Sequence, residues 1–326
     1  MISDDASSPS DAPSAASAGR MPARTTEHVP QVTPELPGRR WRALIALLER
    51  LPQATLSRTF GELADIPVPV RLRRAIIGGF ARIVGADTSE AERPVTDYPS
   101  INAFFVRQLR PGARHWPERA DVAASPVDGI LGQVGTLRQD RLVQAKGRLY
   151  SAAELLNDGA EAHRFEGGPF ITLYLSPRHY HRIHTPTEGR VVKARHVPGA
   201  LLPVNEPGVL HIDRLFPRSE RLVCYVDGPL GRVAVVAVGA YNVGRISTAF
   251  DPRWSSGEHG FTTNRKDAVA ETRTYDPAPF VERGEEIMAF HLGSTVILLL
   301  EPRVRLGDDV VPGREVRLGE PLAEAS

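Results

Sequence analysis

The chain has 326 residues, 41% of them hydrophobic, enough to bury a core as one large domain or two small ones. Its 40 Lys and Arg nearly balance 39 Asp and Glu, leaving a formal charge of +1. No global field therefore draws it to nucleic acid, and an electrostatic partner must meet a local patch. The one cysteine, Cys224, excludes an intramolecular disulfide and sits in a strand-like run, where a small core residue is its expected role.

Residues 1–38 are rich in Ala, Ser, Pro and Asp without periodic apolar positions. Such a composition buries too little surface to offset ordering entropy, so disorder is expected. The opening carries Asp4 and Asp5 and has neither basic flank nor apolar stretch, so it does not read as a secretory signal, and Met21 is an alternative start. From residue 39 to about 95 the pattern is helical. Trp41, Leu44, Ile45, Leu48 and Leu51 share one face until Pro52 ends the run. A second helix is expected to begin near Pro69, since proline suits the first helical position. It carries Leu72, Ile76, Phe80 and Ile83 on one side and Arg71, Arg74 and Arg82 on another. A basic amphipathic segment is the pattern of an interfacial membrane anchor. An ordinary pair of packed surface helices is the alternative. No apolar run approaches the roughly 18 to 20 residues that a spanning helix needs.

Beyond Tyr98 the signals are β. Residues 191–197, 221–226, 232–238 and 295–300 are short apolar or alternating runs separated by Gly, Pro and Asp. Asp227-Gly228-Pro229-Leu230-Gly231 reads as a hairpin turn, and Ser151 to Leu156 as a short helix capped by Ser151. The expected class is mainly β (α+β), an antiparallel β domain behind a helical N-terminal region.

Three segments carry chemistry. The first is Gly293-Ser294-Thr295, which opens the apolar run Val296-Ile297-Leu298-Leu299-Leu300. A hydroxyl directly after the sterically open carbonyl of a glycine can attack it and shift the chain from amide to ester. The second is Ser125-Pro126-Val127-Asp128-Gly129, and the third is Ser176-Pro177-Arg178-His179-Tyr180-His181-Arg182-Ile183-His184. Together they supply a carboxylate, histidines and a serine.

This combination resembles the phosphatidylserine decarboxylase proenzymes, from about Tyr98 to the C-terminus. Further landmarks are Phe104-Phe105-Val106-Arg107, Gln144-Ala145-Lys146-Gly147, Pro198-Gly199, Val204-Asn205, Phe216 with Glu220-Arg221, and Gly239-Ala240 with Val243-Gly244. Three positions depart from the family pattern: His179 stands for an acidic residue, Ser219 for asparagine and His291 for lysine. The resemblance implies residues 1–38 as an extension, 39–95 as a membrane-associating region and 96–326 as the decarboxylase domain. It further implies self-cleavage between Gly293 and Ser294 into a large chain 1–293 and a small chain 294–326, which stay together. Ser294 would attack the Gly293 carbonyl with His184 as base and Asp128 orienting it, a triad arrangement. Ser294 then becomes a pyruvoyl group, a covalent cofactor whose ketone condenses with the substrate amine and takes up electrons as carbon dioxide leaves. His181 is the implied proton donor, whereas His179 has no implied role and is expected at the surface or behind the site. The implied substrate is phosphatidylserine, met at the cytoplasmic face of the cell membrane by a peripherally bound protein with an affinity for anionic surfaces.

The residues alone leave three other readings open. His179, His181 and His184 suggest a metal site, although no second ligand motif follows at suggestive spacing. Ser294, His184 and Asp128 could be a hydrolase triad, but Ser294 lacks the Gly-x-Ser-x-Gly elbow. A non-enzymatic lipid-binding β domain would remain one intact chain.

Overall fold

The computed structural model describes residues 61–145, 147–240, 245–255, 263, 268–291 and 294–326, with backbone only at Ser294. The expected disorder of residues 1–38, the helix around Trp41 and Leu51, and the landmarks Lys146, Val243-Gly244 and Gly293 lie outside the described residues.

In chain order the elements are α1 (Val70–Val84), α2 (Ile101–Phe105), β1 (Val122–Ala124), β2 (Gly129–Thr136), β3 (Arg141–Ala145), β4 (Arg148–Ser151), α3 (Ala152–Leu156), α4 (Gly159–Arg164), β5 (Pro169–Leu175), β6 (Arg182–His184) and β7 (Gly189–Val197). There follow α5 (Glu206–His211), α6 (Leu215–Arg218), β8 (Arg221–Gly228), β9 (Gly231–Gly239), β10 (Ile246–Thr248), β11 (Glu271–Thr274), β12 (Phe280–Val281), β13 (Glu286–Phe290), β14 (Ser294–Leu300), β15 (Val304–Leu306), β16 (Glu315–Val316) and β17 (Pro321–Ala325). The expected mainly antiparallel β architecture is the one observed.

A nine-stranded sheet in the order β11-β7-β8-β9-β14-β5-β2-β16, with β12 also on β7, forms the centre. Two three-stranded sheets, β10-β13-β6 and β1-β17-β15, lie beside it in the fold, with the β3-β4 hairpin. Both faces of the large sheet are buried. Leu173, Cys224, Val235 and Leu298 pack with Ile183, Met288 and Phe290 from the small sheets. On the other face, Phe170, Val236, Ile297 and Leu299 pack with Leu155, Phe165 and Phe216 from the helical segments. Burial on both faces is why β14 reads as an unbroken apolar run rather than an alternating one.

Local signals are realised closely. The Ser151 side chain accepts a hydrogen bond from the Glu154 N–H and caps α3. Gly228 pairs with Gly231 across the β8-β9 turn. Helix α1 starts one residue after Pro69, which is its cap, and ends at Gly85, whose φ of 73° suits glycine.

The apolar side of α1 is largely exposed, unlike that of an ordinary packed surface helix. The helix buries Ile77 and Ala81, against Tyr98 and Phe104, while Leu72, Ile76 and Ile83 are 50%, 42% and 87% exposed. Arg73 turns inward, its Nε donating to Val68 O at 3.0 Å. Among the described residues no helix is long and apolar enough to cross a membrane.

Candidate active site

The register of the large sheet places the start of β14. Ser294 lies opposite Gly239 of β9 and Leu175 of β5. Leu175 leads directly into the turn of Ser176 to His179, where the His179 N–H donates to Ser176 O at 3.0 Å. On the other side of the Gly293–Ser294 bond, the Phe290 N–H donates to His181 O at 2.9 Å, and β13 pairs with β6. Both flanks of that bond are thus hydrogen-bonded to, or stand opposite, the segment from Leu175 to His184.

His181 is fully buried, its ring 3.9 Å from that of Phe105 between centroids. Nδ1 lies 2.9 Å from His179 O and so carries the proton. Nε2 is left with its lone pair and no partner in the interior. Burial pushes the His181 pKa down to about 3, only partly opposed by the bond to His179 O. The ring is therefore neutral at rest, with its open nitrogen a hydrogen-bond acceptor. Thr295 Oγ1 is likewise buried without a partner. Unpaired polar atoms in a dry interior are costly. Of the two, His181 belongs to the segment whose backbone holds Phe290, while Thr295 lies on β14 itself.

His184 closes β6. Its Nδ1–H donates to Gly284 O at 2.7 Å, so Nε2 is the basic nitrogen, and it accepts from Tyr180 Oη at 2.9 Å. Gly284 has φ 78°, and a Cβ there would meet the Trp116 ring. Glycine thereby lets this carbonyl reach the imidazole. Burial lowers the His184 pKa, with the Gly284 bond, Glu286 and Asp128 acting against the shift.

Asp128 occupies a different position from the one the sequence suggests. Its carboxylate is gripped by Arg114, at 3.1 Å from Nε and 2.5 Å from Nη2, and accepts the Leu318 N–H at 2.7 Å. Both ring nitrogens of His184 are engaged elsewhere, so the group that sets the His184 tautomer is Gly284 O and not Asp128. Asp128 acts on the imidazole through space. The backbone keeps the two near each other, since the His184 N–H donates to Pro126 O at 2.9 Å. Gly129 begins β2 where a Cβ would lie 2.9 Å from Tyr174 O, which accounts for glycine after Asp128.

His179 is buried, not at the surface. Its Nδ1 accepts the Ser176 N–H at 3.0 Å, and Nε2 faces Arg178 and Glu315. It staples the turn. The three imidazoles thus face three different sets of partners, and among the described residues no group of three His, Cys, Asp or Glu converges on one point. His291 is buried in a polar set: Nε2 is 3.0 Å from Ser247 Oγ, and Nδ1 faces Asn102, which binds Asp65 at 2.6 Å.

The residue pattern did not single out Tyr180, Gly284, Arg114 or Trp116. Tyr180 had a signal, its place within the histidine segment. The others become visible only when distant segments meet.

Comparison with known proteins matches residues 101–324 to the family model described as phosphatidylserine decarboxylase. A phosphatidylserine decarboxylase proenzyme of Anaeromyxobacter sp. (strain K) is 46% identical over 287 residues, covering 87% of this chain and 99% of that protein. Proenzymes of the same name from Brevibacillus brevis and Myxococcus xanthus are each 40% identical, over 86% of this chain and 98% and 97% of their own.

Proposed function

The chain belongs to the phosphatidylserine decarboxylase family, and we propose that it cuts its own Gly293–Ser294 bond and then converts phosphatidylserine to phosphatidylethanolamine and carbon dioxide. The observation that carries this reading is the double tether of the scissile segment: Phe290 on His181 O and Ser294 opposite Leu175. Release of labelled carbon dioxide from carboxyl-labelled phosphatidylserine, with fragment masses measured on the same sample, tests it.

For self-cleavage the Ser294 hydroxyl gives its proton to His184 Nε2, taking the place that Tyr180 Oη holds here, while its oxygen bonds to the Gly293 carbonyl carbon. Gly284 O keeps the ring in the right tautomer, and the Asp128 charge stabilises the imidazolium. Collapse breaks the amide and leaves an ester. Elimination across the Ser294 Cα–Cβ bond releases the upstream chain as a carboxylate, and hydrolysis of the dehydroalanine yields ammonia and a terminal pyruvoyl group. That group, covalently part of the chain, supplies an electron sink for the loss of carbon dioxide. His181 Nε2, neutral and open at rest, takes the proton the substrate ammonium sheds once the substrate carboxylate beside it favours the charged ring, and returns it to the former α-carbon.

The pH dependence follows from the direction of the His184 shift. The base form is neutral imidazole, and burial lowers its pKa below the ordinary 6.5. Self-cleavage should therefore be independent of pH above that value and fall only below it. A time course of precursor processing across this range checks the sign; a rate limb centred above 7, roughly the upper range of ordinary histidines, would count against His184 as the base.

The surface of α1 supports action at the cytoplasmic face of an anionic membrane. Leu72, Ile76 and Ile83 are exposed beside Arg71, Arg74 and Arg82, an apolar stripe to enter the interface and cations to meet lipid phosphates. Each such cation contributes on the order of 1 kcal/mol near the surface, screened by salt. Arg71→Glu, Arg74→Glu and Arg82→Glu together should weaken sedimentation with phosphatidylglycerol liposomes while leaving self-cleavage intact. Equal sedimentation of variant and parent at low salt would exclude α1 as the anchor.

A further inference from the structure

Arg107 differs from the other cations around the histidine segment. It is 4% exposed and lines a cleft of about 240 Å³ together with Asp128, Arg178, His179 and Tyr180, with Asp87 and Glu90 also on its wall. Two neighbouring cations in the cleft have carboxylate partners, Arg178 on Glu315 at 3.1 Å and Arg317 on Glu90. Arg107 has none among the described residues. Its Nη2 makes one long hydrogen bond to Arg178 O, at 3.4 Å, and Cζ lies over the Phe104 ring, 5.0 Å from the centroid. Nε is buried without an acceptor. A guanidinium stays protonated even when desolvated, so the fold holds a cation in its interior with no carboxylate in ion-pair contact, Asp128 and Asp87 of the same cleft acting on it only through space.

Its position is set from both sides. Phe105, two residues earlier, stacks on His181. Val106 O accepts from Arg182 Nε at 2.8 Å, and Arg178 supplies the carbonyl just named. Arg107 is thus fastened to the segment that carries His181 and His184.

We propose that Arg107 binds the phosphodiester oxyanion of the substrate head group and so fixes the head group beside His181 and Tyr180. The inference rests on the phosphatidylserine reading. That substrate offers two anions, the diester phosphate and the α-carboxylate. The carboxylate loses its charge as carbon dioxide departs, so a cation bound to it would stabilise the ground state more than the transition state and slow the reaction. The phosphate keeps its charge throughout. A cation on it favours both states equally and lowers KM. The planar fork of arginine also matches two phosphate oxygens.

The first arm of the test uses the unmodified, processed protein in mixed micelles. A phosphotriester analogue of phosphatidylserine, with one phosphate oxygen methylated, keeps the amine and carboxylate but lacks the anion. Its KM should be raised about 10- to 100-fold, the range for a lost charged hydrogen bond, with kcat nearly unchanged. Arg107→Gln should raise KM for the normal diester by a similar factor and no longer distinguish diester from triester, with Arg107→Lys between it and the parent. Completed self-cleavage on a denaturing gel shows that each variant folds. Equal KM values for diester and triester in the unmodified protein overturn the proposal. So does an Arg107→Gln variant that cleaves itself and prefers the diester as the parent does. Absence of any phosphatidylserine turnover by the unmodified protein would instead defeat the functional reading. Calorimetric titration of glycerophosphoethanolamine into parent and Arg107→Gln then decides the anion site: binding to the parent alone supports it, and equal binding, or none, overturns it.

Discussion

On a denaturing gel the purified protein should run as two polypeptides, residues 1–293 and 294–326, that elute together from a sizing column under native conditions. The reason for both halves of this result is the place of β14. The bond to be cut sits at the entrance of a strand that pairs along its length with β9 and, from Ser294 to Leu299, with β5. The small chain would also keep β16 on β2 and β17 on β1, and Leu318 would still donate its N–H to Asp128. Cutting one peptide bond leaves these ladders and two buried cores intact, so only denaturation should part the pieces. The small fragment should resist Edman degradation, because a terminal pyruvoyl group has no free amine, and hydroxylamine should abolish activity by trapping its ketone. Ser294→Ala should stay a single chain and lose all decarboxylation. Full activity in a sample containing only intact chain would rule out the proposed chemistry.

The second large effect separates two histidines three residues apart. His184→Ala removes the base for Ser294 and should leave the precursor mostly uncut. The loss of a general base typically lowers a rate roughly 10²–10⁴-fold. His181→Ala should cut itself, bind substrate and then form product slowly, by a factor in the same range, because the open Nε2 proposed to relay the proton is gone. Asp128→Asn tests the through-space role. It keeps an acceptor for the Leu318 N–H but removes the charge that faces Arg114 and His184, so cleavage should slow less than in His184→Ala. Fragment yield and product formation, measured separately for each variant, decide the assignments. A His181→Ala chain that fails to cleave beside a His184→Ala chain that cleaves and stalls would reverse them.

Much of the scaffold was legible in the residues because its signals are local. The runs at 191–197, 221–226, 232–238 and 295–300 became β7, β8, β9 and β14 with ends shifted by a residue or two. Ser151 caps its helix with its own side chain. Cys224 lies in the core of β8, where burial raises its thiol pKa far above the usual range and keeps it inert. The direction of α1 was less legible. Leu72, Ile76 and Ile83 form the more obvious apolar stripe, yet Ile77 and Ala81 face Tyr98 and Phe104. Helical periodicity shows which residues share a face but not which face meets the domain.

What the sequence by itself determined is the family, the strand-rich architecture, and the trio of Asp128, the His181 and His184 pair, and Gly293-Ser294 as the places to look for chemistry. Each of these depends on residue type and short-range spacing. The tertiary structure alone decided how those groups are wired. Gly284, one hundred residues from His184, orients its ring; Arg114 and Leu318 hold Asp128; and Arg107 is buried near the histidine segment with its Nε lacking an acceptor among the described residues. A hydrogen bond forms only where packing brings donor and acceptor within about 3 Å. That distance is set by two cores and nine paired strands acting together, so it leaves no mark in the spacing of the residues that share it.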